Sequence, residues 1–230
     1  MTDFLSSGVV WAVLLTVATY ELGCFLRKKT GLAVCNPVLI GALFVIVFLL
    51  LTKIPNDVYQ SGVKSISWLM TPCTVCFAIP LYKQLERLKG RLAAVLVGVA
   101  AGAVTSLLLV GGLCILFRLP DSVTAGLLPK SITTAMAIPL SESADGLVPL
   151  TTAAVILTGV LGSVAGPALC RLLRIDDPVA RGAAFGTASH IIGTTKAAEL
   201  DELTGAVSSL SLVVAGILTA VLFPLAVSLF

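Results

Sequence analysis

The amino-acid sequence predicts an all-α integral membrane protein with about six full transmembrane helices and two opposed re-entrant, discontinuous hairpins. Three observations carry this. Of 230 residues, 57% are hydrophobic and 12% are charged, with a mean hydropathy of +1.06, whereas soluble domains average about 25% charged. Six apolar stretches approach the roughly 20 residues a helix needs to cross the hydrocarbon core. Two further stretches are broken by Pro or Gly and carry hydroxyls and a cation.

The expected spans are Phe4–Leu26, Leu32–Leu51, Ile66–Leu81, Leu92–Phe117, Leu147–Leu173 and Thr204–Phe230. The broken polar segments are Val123–Leu140 and Val179–Ala198. Phe4–Leu26 reads as a retained span rather than a cleavable signal. It is long, lacks a basic leading region, and is followed by Arg27-Lys28-Lys29. Asn36-Pro37 interrupts the second span, and Pro72 and Pro80 break the third. The polar connections Lys53–Lys64 and Lys83–Arg91 are too short to fold alone, so residues 1–230 are expected to form one membrane domain.

Lys and Arg in short loops mark the cytoplasmic side. Arg27, Lys28 and Lys29 place the N-terminus outside; Lys83, Arg87, Lys89 and Arg91 form the next inner cluster, and Arg171, Arg174 and Arg181 the third. All three fall inside if Val123–Leu140 enters and leaves by the outer face and Val179–Ala198 does so by the inner face. Lys53 and Lys64 are the exceptions. Irregular backbone at membrane depth is tolerated where protein buries it or where it lines a cavity. A shift of about 57 residues, by inspection of the chain, lays Glu142 on Glu199, Gly159 on Gly216 and Pro167 on Pro224. Each unit is then a broken polar segment followed by one crossing, an inverted repeat. Ala78-Ile-Pro-Leu81 and Ala137-Ile-Pro-Leu140 form a second echo.

Several function classes lack support. No basic patch with interleaved aromatics points to nucleic acid. The six cysteines lie in or beside apolar stretches, and Cys73-Thr-Val-Cys76 has no second pair or nearby His to complete a metal set. The Gly-rich run Gly98–Gly112 and the stretch Gly159–Gly166 read as close helix packing, without the Lys-Ser/Thr and strand of a nucleotide loop. No hydrolase motif occurs, and Ser189-His190 are adjacent rather than a nucleophile and base held by a third group. No enzyme, cofactor or metal is expected.

Polar and ionisable groups at membrane depth are costly and mark function. In Pro129-Lys130-Ser131-Ile132-Thr133-Thr134, the lysine needs a partner, water or a bound anion, and the hydroxyls open a half-helix whose N–H groups can face an anion. The bland reading is a lysine that snorkels to the surface. In Gly186-Thr187-Ala188-Ser189-His190-Ile191-Ile192-Gly193-Thr194-Thr195-Lys196, the single histidine can hydrogen-bond a substrate or carry a proton, against the commoner role of a structural histidine. The candidate substrate contacts are Lys130, Ser131, Thr133, Thr134, Ser189, His190 and Thr194, with Asn36 and Thr74 beside helix breakers. His190, Lys196 and Glu199 are candidates for proton coupling or ion pairing; Lys196 and Glu199, three apart, can equally form a surface pair.

Three ordered motifs, Thr71-Pro-Cys-Thr-Val-Cys-Phe-Ala-Ile-Pro-Leu-Tyr-Lys-Gln84, Leu128-Pro-Lys-Ser-Ile-Thr-Thr134 and Gly186-Thr-Ala-Ser-His-Ile-Ile-Gly-Thr-Thr-Lys-Ala197, resemble the LrgB/CidB family, also called YohK-like, over essentially the whole chain. The resemblance implies a bacterial cytoplasmic (inner) membrane protein. Bacterial members are antiholin-like proteins that modulate murein hydrolase activity and lysis, commonly with a smaller holin-like partner, LrgA or CidA. A plant relative is a chloroplast-envelope glycolate/glycerate transporter that fuses both parts, and some bacterial pairs are linked to pyruvate uptake. No LrgA-like segment precedes the LrgB-like part, so a separate partner is expected. Two positions depart from the family pattern: Thr71 stands where a small glycine is expected and Ala135 where a proline is common. The expectation is a transporter for small carboxylates working by alternating access, with proton coupling through His190 and a homo-oligomer as further options. The alternative is an antiholin-like regulator acting through the holin-like partner.

Overall fold

The computed structural model describes residues 9–30, 37–69, 72 and 90–230, and among these the chain forms helices and turns but no strand. The chain divides into two compact units, Met1–Cys76 and Phe77–Phe230.

The first unit holds α1 (Val9–Thr30), α2 (Pro37–Thr52) and α3 (Asn56–Trp68). The pairs Gly23–Pro37, Tyr20–Gly41 and Trp11–Phe48 show that α1 and α2 run antiparallel. A Cβ on Gly23 would stand 2.8 Å from Pro37 Cα, so glycine sets their approach. Residues 53–64, read from sequence as a polar connection, are largely helical. Val58, Tyr59, Gly62, Val63 and Ile66 recur at helical spacing and form the covered face of α3. Tyr59 anchors that face, with its hydroxyl 2.8 Å from Thr16 Oγ1 and its ring 6.2 Å from that of Trp11. Most of the expected third span, Ile66–Leu81, lies outside the described residues.

The second unit holds α4 (Leu92–Leu116), α5 (Asp121–Leu127), α6 (Thr134–Ser143), α7 (Val148–Leu172), α8 (Pro178–Leu200) and α9 (Glu202–Leu229). Helices α1, α4, α7 and α9 are long and apolar enough to cross a membrane, and α2 is a shorter apolar helix. The protein is a multi-pass membrane protein.

Helix ends follow local chemistry. α4, α6 and α7 close with the same backbone motif. Leu119 N–H donates to Cys114 O at 2.9 Å, Gly146 to Ser141 O at 2.8 Å and Ile175 to Cys170 O at 2.8 Å. Arg118, Asp145 and Arg174 take the left-handed position at φ 52°, 53° and 55°. Asp177 and Asp201 cap the next two starts: Asp177 accepts from Val179 N at 2.8 Å, and Asp201 from Thr204 N at 2.7 Å.

α5 and α6 form a hairpin that returns to its entry. Leu147 N–H donates to Ser122 O at 3.0 Å, which ties the two ends together. At 1.5 Å per residue the two arms are about 10 and 15 Å long, a third to a half of a 30 Å hydrocarbon core. The hairpin is therefore too short to cross and turns at 128–133.

α8 makes the opposed hairpin. Its backbone leaves helical geometry at His190, with φ 41° and ψ −137°. Pro178 O lies 3.2 Å from Thr204 Oγ1, while a Cβ on Gly205 would stand 2.7 Å from Ala198 Cα. Both ends of α8 thus sit at the start of α9. The arm 178–189 runs parallel to α9 and the arm 191–200 runs antiparallel to it. The sequence marked Gly186 and Gly193 as breakers, but the turn falls on His190, and Gly182 and Gly186 serve instead as contact points for α9.

The two repeats are opposed and interlocked. α5–α7 open toward the end of α4 that carries Arg118, and α8–α9 toward the end that carries Arg91. Arg91 Nη1 meets Asp177 Oδ2 at 2.7 Å, and Arg181 Nη2 meets Asp176 Oδ1 at 2.9 Å, so Arg91, Arg171, Arg174 and Arg181 share one end. Phe230 packs on Gly111 at the other. The glycines paired by the 57-residue shift have matching roles: Gly159 of α7 receives His190 of the second hairpin, and Gly216 of α9 receives Met136 of the first. Lipid offers no hydrophobic gain between helices, so such small-residue contacts drive the packing.

Candidate functional site

The tip of the first hairpin and the first arm of the second border a cavity of about 1060 Å³ in the second unit, lined along its length by α4. Lys130 and Ser131 come from the first tip, Thr187 and Ala188 from the second hairpin, and Gly102 and Ser106 from the middle of α4. Arg91 and Asp177 flank one end.

Local sequence explains how Lys130 comes to be there. Pro129 has no N–H to continue a helix. Leu128, Pro129 and Ile132 are almost wholly buried and anchor the turn, leaving Lys130 half-buried between them. Lys130 Nζ donates to Ser131 Oγ at 3.3 Å, and Ser131 Oγ lies 2.8 Å from Ser106 Oγ. Among the described residues no carboxylate pairs with Lys130. A half-desolvated ammonium is costly and calls for hydrogen-bond or charge partners.

Hydroxyl bonding fixes the second tip. His190 Nε2–H donates to Val155 O at 2.9 Å, because a carbonyl can only accept, and this sets the tautomer. Val155 is fully buried and its side chain packs on Ile132 and Ala137 of the first hairpin. One residue of α7 therefore holds both tips. Thr194 Oγ1 donates to His190 O at 2.8 Å and so accepts from Ser208 Oγ, also at 2.8 Å. Ser189 is buried against Gly162.

The candidates named from sequence thus part into groups. Lys130 and Ser131 line the cavity. Ser189, His190 and Thr194 are buried in the packing that shapes the tip. Thr133 is the N-terminal flank of α6, without a side-chain capping bond, and Thr134 opens that helix; neither borders the cavity. Lys196 Nζ pairs with Glu199 Oε2 at 3.0 Å on the returning arm. Asn36 and Thr74 lie outside the described residues. Sequence reasoning missed Ser106, hidden in a run read as packing glycines, and Thr187, which it quoted but did not choose. An i, i+4 spacing of Gly102 and Ser106 was the available signal, since it puts both on one face of α4.

A family model described as the LrgB-like family matches residues 16–229. No solved structure matches the chain.

Proposed function

This chain belongs to the LrgB-like family, and we propose from that premise that it is a membrane transporter for small carboxylates of the glycolate, glycerate or pyruvate kind. The observation that carries the reading is Lys130, a cation without a carboxylate partner among the described residues, held by a hairpin tip at the wall of a cavity that runs along α4. Two opposed hairpins that meet at such a site fit alternating access, in which one repeat rocks against the other. By this reading Lys130 and Ser131 bind the carboxylate, His190 sets the tip, and no covalent chemistry takes place. The end bearing Arg91, Arg171, Arg174 and Arg181 faces the cytoplasm of a bacterial inner membrane, with the N-terminus outside.

A second reading is an antiholin-like regulator of murein hydrolase activity that acts through a small holin-like partner or a second copy of itself. The exposed Gly112 of α4 favours it: among the described residues nothing lies within 4 Å of where a Cβ would stand there.

Uptake of labelled glycolate, glycerate and pyruvate into proteoliposomes, with and without a pH gradient, separates the two. Saturable uptake that Lys130→Met abolishes supports transport. Gradient dependence that disappears in His190→Gln supports proton coupling. No uptake of any of the three, with the holin-like partner present as well, moves the reading to regulation.

A further inference from the structure

Thr187 is 9% exposed, and its Oγ1 is a fully buried hydroxyl with no hydrogen-bond partner among the described residues. A threonine in a helix ordinarily satisfies itself on the carbonyl one turn back, as Thr194, Thr195 and Thr151 do here. An orphaned buried hydroxyl costs on the order of the desolvation of the group and calls for an explanation. Thr187 stands on the arm of the second hairpin that borders the cavity. Its methyl fits where Gly102 has no side chain, 2.8 Å from where a Cβ would be.

The position relative to Lys130 gives the orphan a meaning. Gly102 and Ser106 are one turn apart on the same face of α4, about 6 Å along its axis. Ser106 holds the Ser131 hydroxyl, which in turn meets Lys130. Thr187 faces Gly102. The Thr187 side chain, whose methyl meets Gly102, and the Ser131 hydroxyl that Lys130 meets are therefore offset by roughly one helical turn. That is the reach of a two- or three-carbon carboxylate with one further oxygen, once hydrogen bonds at both ends are included.

We infer that Thr187 is the second anchor of the carboxylate site, donating to a hydroxyl or keto oxygen on carbon 2 of the substrate while Lys130 takes the carboxylate. This rests on the transport reading above and adds the group that separates oxygenated carboxylates from plain ones. A small rotation of the second hairpin in the substrate-bound state turns the buried hydroxyl toward the cavity. An apolar side chain of the same shape retains the packing and loses that bond.

The test is a paired comparison in proteoliposomes of glycolate against acetate and of lactate against propionate. It uses wild type, Thr187→Val, Thr187→Ser and Lys130→Met. Wild type is expected to favour the oxygenated member of each pair by at least tenfold in kcat/KM, the discrimination that a site built around a hydrogen bond gives. Thr187→Val is expected to lose most of that preference, and Thr187→Ser is expected to restore it. Thr187→Val should melt no lower than wild type in detergent, because it removes an unsatisfied polar group. Uptake that depends on Lys130 but keeps its discrimination in Thr187→Val overturns the Thr187 assignment alone. Equal loss on all four solutes with a lowered melting temperature also overturns it, making the residue structural. No uptake in wild type overturns the transport reading and this inference together.

Discussion

His190 Nε2 donates to the carbonyl of Val155 across 2.9 Å, and this bond joins the tip of one hairpin to the span that follows the other. The same residue carries a backbone conformation, φ 41° and ψ −137°, that side chains disfavour and glycine accepts. Ring and backbone therefore contribute with opposite signs. His190→Ala should lose the ring's bond and keep the strain, and His190→Gly should lose the bond and relieve the strain. We expect His190→Gly to be more stable than His190→Ala by about 1 kcal/mol, the reverse of the order in a helix interior. Thermal unfolding in detergent measures it; alanine above glycine would mean that the turn does not lie at His190.

The seam between α8 and α9 should tolerate no added atoms at Gly186. A Cβ there would meet Ser208 O closely, with Ser211 Cβ at 2.8 Å and Leu212 N at 3.0 Å. Backbone atoms cannot rotate away, so Gly186→Ala should cost about 3 kcal/mol, the upper part of the overpacking range. Gly112 has nothing within 4 Å of the same position, and Gly112→Ala should be neutral or slightly stabilising. Equal melting temperatures for the two variants would contradict the close α8–α9 packing.

Asp177 gives the pH dependence. Its carboxylate accepts from Ala180 N–H, which lowers its pKa most, and then from Arg91 and Val179 N–H. A carboxylate depressed in the folded protein adds stability at pH values above its unfolded pKa. That stability is lost as pH falls through the lower folded value. Melting temperature should therefore drop on going from pH 7 to below pH 4, and Asp177→Asn should show a smaller drop. The group is exposed, so the effect is modest and weakens with salt.

Topology can be read by cysteine labelling. Ser122 O and Leu147 N meet at 3.0 Å, so Asp121→Cys and Asp145→Cys should react from one and the same face of the membrane. Arg174→Cys and Glu202→Cys should react from the opposite face. Labelling of Asp121→Cys and Asp145→Cys from different faces would turn the first hairpin into a crossing.

Much of the fold was legible because its causes are local. The apolar stretches behind α4, α7 and α9 follow from composition along the chain, and the helix ends lie within two residues of the expected ones. Both polar segments were found by their hydroxyls and cations. The helix α3 was missed because its covered face, built on Tyr59 and Val63, is too narrow to register as hydropathy. The turn at His190 was assigned to its neighbouring glycines, since sequence marks where a chain can bend easily rather than where packing makes it bend.

The sequence by itself determined that this chain lies in a membrane, which segments carry polarity at depth, and which ends gather arginines. Those properties are sums over neighbouring residues and need no partner. Only the tertiary structure decided which polar side chains meet the cavity. Rotation about each helix axis is set by contacts far apart in the chain: Gly159 against His190, Gly216 against Met136, Ser106 against Ser131. These contacts turn His190 and Thr194 into the packing and leave Lys130 and Ser131 at the cavity wall, because a helix that fits its small residues against one neighbour has no freedom left to choose what its other face presents.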